Sequence, residues 1–216
     1  MLKLIVGADS MIVELENFSI ECDKKIDYMD DIIDTLDNRT CEILAFFKLE
    51  KLSRKKKIVI FTDREKYKEH MLKFVPVFME WMCGDTNDGN INLLELSEAR
   101  KANAHKNMDL NEFLGCVLHE FVHACHQEYS NFSSDIVWFW EALATNLSGQ
   151  NYSVISLKDC DFKALRDNFK NTKNCYRYAY TLGNYMLNNY SNDRIINYVK
   201  RPDSLRLDFD LIFNEA

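Results

Sequence analysis

The chain lacks several features that would point to particular classes. It has 216 residues, only two prolines (Pro76 and Pro202), and no Pro/Gly/Ser linker, internal repeat or low-complexity tract, so one continuous domain over 1–216 is expected. No apolar run approaches the roughly 18 residues of a membrane helix. The first residues, MLKLIVGADSMIVELE, carry Asp9, Glu14 and Glu16 and no small-residue cleavage pattern, so no signal peptide and no membrane partner are expected. Basic residues are short as well: 27 Lys plus Arg stand against 34 Asp plus Glu, for a net charge of -7, which opposes nucleic-acid binding. Seven cysteines, an odd number, form no CxxC pair and no disulfide framework, so a reducing cytoplasm is the expected location.

What is present is a mixed pattern. Strand-like runs occupy Leu2 to Val6 and Met11 to Leu15, and a helical spacing runs from about Asp30 to Lys51 through Ile32, Ile33, Leu36, Ile43, Leu44 and Phe47. The basic run Arg54 to Lys57 reads as a solvated helix end before the strand Lys57-Ile-Val-Ile-Phe61, and an amphipathic helix follows over Arg64 to Phe78. Gly84-Asp-Thr-Asn-Asp-Gly-Asn90 is the strongest turn signal, leading into a strand at Ile91 to Leu96. Beyond it the pattern is helical, over about Leu110 to Glu128, Ile136 to Ser148, Phe162 to Phe169, Cys175 to Tyr190 and Asp193 to Lys200. Asp109 with Glu112 forms a capping-box signature for the first of these. Strands first and helices after predict an α+β fold, with an α/β lobe over about 1–108 and a helical lobe over about 109–216.

The chemistry concentrates in His119-Glu-Phe-Val-His123. On a helix, i and i+4 share a face, so both imidazoles can reach one metal ion, while Glu120 lies about 100° around, where it can reach a water. A catalytic zinc site needs a third protein ligand. His126 shares the face but lies a further turn along the axis, and Cys116 reads more simply as a small buried hydrophobe. Position 126 is not glycine and 129 is Tyr129, which excludes the HExxHxxGxxH pattern. Glu141 is favoured, since a carboxylate within Trp138-Phe-Trp-Glu-Ala-Leu-Ala-Thr145 is costly to bury unless it binds something; a surface glutamate is the alternative. His70 and His105 read as solvated.

These motifs, in order, resemble the gluzincin metallopeptidases, the thermolysin-like peptidase MA group. The match spans roughly Gly89 to Lys200, with Ala142 where the group commonly has glycine. The resemblance implies a zincin-like metalloprotease fold: an N-terminal mixed sheet with helices, a mainly helical C-terminal subdomain, and the active-site helix between them. It implies Zn²⁺ held by His119, His123 and Glu141, Glu120 as general base, and peptide or protein substrates hydrolysed at the peptide bond. Tyr180-Thr-Leu-Gly183 resembles the group's Tyr-x-x-Gly helix, which makes Tyr180 the oxyanion donor, with Tyr176 and Tyr178 competing for the role. An edge strand before the HExxH helix binds substrate in the group, which assigns Asn92, Leu93 and Leu94 to substrate binding. Thr145 stands where thermolysin-like members carry an acid that orients a zinc histidine. The alternatives are a non-catalytic gluzincin-fold protein that binds metal or peptide for regulation, and a regulatory protease of repressors.

Overall fold

A computed structural model describes residues 3–6, 10–87, 89–131 and 134–216. The expected strand start at Leu2, Asp9, the turn residue Asp88, and positions 132 and 133 of the polar turn lie outside the described residues.

The fold is mixed α+β. Strands β1 (Lys3–Val6), β2 (Met11–Glu14) and β3 (Phe18–Cys22) form an antiparallel meander. Strand β3 was not expected, although Phe18, Ile20 and Cys22 alternate with Ser19 and Glu21 and turn their side chains into the core. Helix α1 (Met29–Phe46) buries Ile32, Ile33, Leu36, Ile43 and Leu44. It stops short of the expected Lys51, since Lys48 takes a left-handed conformation at φ 55° that no α-helix can continue. Strand β4 (Lys56–Phe61) runs parallel to β3. Its first residue, Lys56, is buried rather than solvated, and burial lowers its pKa.

Helix α2 (Arg64–Met71) starts on Asp63, whose carboxylate accepts from the N–H groups of Glu65 and Lys66. It ends well before the expected Phe78. Pro76 has no N–H to continue the ladder, its ring would clash with the Leu72 carbonyl, and it biases Val75 away from the helical region.

The turn signal at 84–90 is mostly strand. Residues Gly84–Asn87 form β5, antiparallel to β6 (Asn90–Leu94), and Gly89 at φ 70° makes the tight reversal. Strand β6 ends at Leu94 because Glu95 turns its carboxylate onto the N–H groups of Ser97 and Glu98 and caps α3 (Leu96–Ala99). The sheet order is β1-β2-β3-β4-β6-β5, with β3, β4 and β6 mutually parallel.

The remainder is helical: α4 (Leu110–Gln127), α5 (Val137–Leu147), α6 (Phe162–Asp167), α7 (Cys175–Asn189), α8 (Asn192–Lys200) and α9 (Pro202–Glu215). Helix α9 was unforeseen; Pro202 occupies its first turn, where a missing N–H costs nothing. One hydrophobic cluster runs from Val13 and Ile20 in the sheet through Phe121 in α4 to Trp138 in α5 and Phe213 in α9. Among the described residues no helix is long and apolar enough to cross a membrane.

Candidate metal centre

Helix α4 carries the site because its start is fixed and its flank is buried. Asp109 accepts from the Glu112 N–H at 2.8 Å while the Glu112 carboxylate accepts from the Asp109 N–H at 2.9 Å, a complete capping box. Phe113, Val117, Phe121 and Val122 anchor the helix in the core. That leaves His119 and His123 one turn apart on the face toward α5, their rings edge to face at 4.7 Å, and α5 brings Glu141 up to both.

His119 Nε2 stands 3.1 Å from Glu141 Oε2 and 3.1 Å from His123 Nε2, and His123 Nε2 stands 3.7 Å from Glu141 Oε1. One ligand atom from each of the three lies within 4.8 Å of the others. A tetrahedral zinc with bonds of about 2.0–2.1 Å would separate its ligand atoms by about 3.3 Å, so the spacing fits one ion. Burial alone would lower the His119 pKa, yet the hydrogen bond and charge of Glu141 raise it to about 9. Burial lowers His123 to about 4, despite Glu141. Burial would raise Glu141, but His119 and His123 hold it below the ordinary carboxylate value. A buried carboxylate surrounded by imidazoles is a donor set that a divalent cation completes.

The histidine orientation comes from an unforeseen residue. Gln150 Oε1 accepts from His119 Nδ1 at 2.9 Å, which leaves Nε2 for a metal, and Gln150 Nε2 points at the Cys116 thiol at 3.6 Å. Thr145, in the position where an acid would serve in thermolysin-like enzymes, is buried and donates to the Glu141 carbonyl at 2.6 Å. Gln150 follows Gly149 (φ 78°) in the irregular segment after α5, where no periodicity marks it.

Glu120 is buried beside this triad and burial raises its pKa to about 7. Thr86 Oγ1 lies 2.8 Å from its Oε2 and 2.9 Å from its carbonyl. Gly84 faces the same carboxylate so closely that a Cβ there would lie 2.9 Å from Glu120 Oε1. The strand beside the metal centre is therefore β5.

This corrects the assignment of Asn92, Leu93 and Leu94. Strand β6 is paired on both sides, by β4 and β5, and the three residues are buried, so its backbone has no free edge to offer a peptide. The Leu94 N–H bonds the Cys83 carbonyl at 2.8 Å, which sets the alternation: Asp85 and Asn87 bond toward β6, and Gly84 and Thr86 turn their backbone groups outward.

The tyrosine changes too. The cleft over the triad, about 350 Å³, is lined by Tyr176 and not by Tyr180 or Tyr178. Tyr180 stands beside Tyr152 with centroids 5.8 Å apart, and Tyr178 faces the Cys160 and Asp159 side. Burial and the Glu141 charge keep the Tyr176 phenol protonated well above neutrality.

The other histidines are structural. His126 is fully buried and stacks on Trp140 at 3.8 Å and 9°, with neither ring nitrogen hydrogen-bonded, so burial holds it neutral. His70 and His105 are partly buried rather than solvated: His70 Nε2 lies 3.4 Å from Asp85 Oδ1, and His105 Nε2 donates to the Trp81 carbonyl at 2.7 Å. A larger cavity, about 840 Å³, runs along the N-terminal half of α4 past Cys116 and Gln150 but contains none of the triad.

No protein-family model matches the chain, and no curated protein matches it.

Proposed function

We propose that the chain is a zinc-dependent metallopeptidase of gluzincin type. The observation that carries this reading is the convergence of His119, His123 and Glu141 on one point with Glu120 buried next to it, against the edge strand β5. Two imidazoles and a carboxylate suit Zn²⁺ with a fourth position open. When bound, the ion polarises a carbonyl and makes water a stronger nucleophile near neutral pH.

The chain's own groups supply the rest. A substrate segment pairs with the outward backbone groups of Gly84 and the N–H of Thr86, whose carbonyl accepts from Gln127 Nε2 at 3.0 Å, and so lies across the cleft. Glu120, hydrogen-bonded by Thr86, takes a proton from the attacking water and returns it to the leaving nitrogen. The Tyr176 phenol, neutral in the cleft wall, donates to the carbonyl oxygen as its negative charge develops.

Glu120→Gln is the test. It should retain one zinc per chain and the wild-type far-UV circular dichroism, and lose roughly 10²- to 10⁴-fold in turnover of a peptide library. Unchanged turnover refutes the role of Glu120. Zinc-loaded wild type that cleaves no peptide in the library would favour a metal-dependent binding protein.

A further inference from the structure

The cleft over the triad has two unlike walls. One is apolar, made by Met71, Phe74, Val75 and Met82 from α2 and the segment leading to β5. The other, from the segment preceding α7, carries Lys170, the one lysine or arginine among the described lining residues. Lys170 sits on a 3-10 turn, Phe169–Asn171, held by Phe169, which is buried with its ring edge-on to Tyr176 at 5.4 Å. The turn is closed by the Thr172 N–H on the Phe169 carbonyl at 2.9 Å.

Lys170 has no ion-pair partner among the described residues, and its charge reaches the Glu141 carboxylate. The acids of the cleft bond mainly to neighbouring side chains, although Asp85 Oδ2 is buried without a hydrogen-bond partner. Asp85 Oδ1 takes Asn87 and Asn92 at 2.9 and 3.0 Å, Glu120 takes Thr86, and Glu141 faces both imidazoles. Lys170 is exposed at the mouth of the cleft and pairs with none of the described carboxylates, so it is open to a carboxylate brought by an occupant.

We propose that Lys170 receives a carboxylate of the substrate while the apolar wall takes a large apolar side chain of the same peptide. The carboxylate is the free C-terminus or an Asp or Glu side chain. The assignment rests on the peptidase reading and specifies its substrate class.

Five peptides with the same apolar residue separate the sources: free C-terminus, amidated C-terminus, and amidated versions carrying Glu, Gln or Lys at a neighbouring position. Each is measured for kcat/KM on zinc-loaded wild type, Lys170→Ala and Lys170→Glu. Each is also measured for Kd on zinc-loaded Glu120→Gln protein, with and without Lys170→Ala, by tryptophan fluorescence, since Trp81 and Trp140 line the cleft. Wild type should prefer a carboxylate-bearing peptide over its neutral twin by roughly three- to ten-fold, in KM rather than kcat, as expected for a partly exposed charge pair. Lys170→Ala should erase the preference, and Lys170→Glu should transfer it to a peptide with Lys in place of Glu. Preference for the free C-terminus alone identifies the terminal carboxylate, and preference for Glu over Gln identifies a side chain. A preference that survives Lys170→Ala, or no preference in wild type, overturns the proposal. If no peptide is cleaved but binding keeps its Lys170-dependent charge preference, the peptidase reading fails and the carboxylate site stands. If no peptide is cleaved or bound, both fail.

Discussion

A neutral amide orients His119 of the candidate metal-binding group, and that choice has a measurable effect. Gln150 accepts the His119 Nδ1–H at 2.9 Å, so it fixes the tautomer and ring angle without adding the electron donation of a carboxylate. Thr145 has no hydroxyl to spare for this purpose, because it bonds back to the Glu141 carbonyl. Gln150→Leu should therefore leave His119 free to rotate and weaken zinc binding roughly 10- to 100-fold by competition with a chromogenic chelator, with far-UV circular dichroism unchanged. Gln150→Glu keeps an acceptor at Nδ1 and should bind at least as tightly as wild type. Equal affinity in all three proteins would remove Gln150 from the site. Two more residues at this scale were legible only in part: Glu120 follows from the motif, but its partner Thr86 does not, since the hydroxyl arrives from a strand 34 positions away.

At the scale of elements, the packing of α5 on α7 decides where Glu141 stands. Gly183 is the contact point: a Cβ there would lie 2.5 Å from the Ala142 carbonyl oxygen and 2.5 Å from Asn146 Nδ2. Asn146 in turn bonds the Tyr180 carbonyl at 3.0 Å, so the two helices are joined where the glycine lets them touch. Gly183→Ala must push α7 away from the residue that follows Glu141, and it should cost about 1–3 kcal/mol in urea unfolding while weakening zinc binding. A stable Gly183→Ala protein with wild-type zinc affinity would show that the helices part without moving Glu141. The Tyr-x-x-Gly resemblance pointed to Tyr180, with Tyr176 and Tyr178 as competitors, and of the three it is Tyr176 that lines the cleft. Tyr176 and Tyr180 are four residues apart, on one face and separated by about 6 Å of helix rise. Only the depth at which α7 crosses α5 selects the turn level with the His119, His123 and Glu141 cluster, and a motif spacing contains no such depth. Helix α4 was legible nearly to its ends because a capping box and an apolar period agree there. Strand β5 was not, because Gly84, Asp85, Thr86 and Asn87 have turn propensities that pairing with β6 and contact with Glu120 override.

For the whole molecule, acid sensitivity should arise where side chains tie the sheet end to the helices, and Glu95 is the clearest such tie. It ends β6, caps α3, and accepts from the Tyr28 hydroxyl at 2.6 Å and the Ser97 N–H at 2.9 Å; Tyr28 Oη also accepts from the Leu96 N–H at 3.1 Å. Burial alone would raise the Glu95 pKa, but the donors Ser97, Tyr28 and Glu98 outweigh it and hold the carboxyl below its ordinary value. A carboxylate depressed in the folded state contributes stability above its unfolded pKa of about 4.3 and loses it as the pH falls through the lower folded value. Glu95→Gln removes that titration while keeping a comparable shape. With chelator present throughout, so that metal binding adds no pH dependence, wild type should exceed Glu95→Gln in unfolding free energy by about 1–3 kcal/mol above pH 5. The gap should narrow steadily below pH 4, because protonating Glu95 makes the wild type resemble the variant. A gap that stays constant down to pH 3 would mean that the carboxylate stays ionised or contributes only through its shape, and the tie between β6, α3 and α1 would then be one of packing rather than charge.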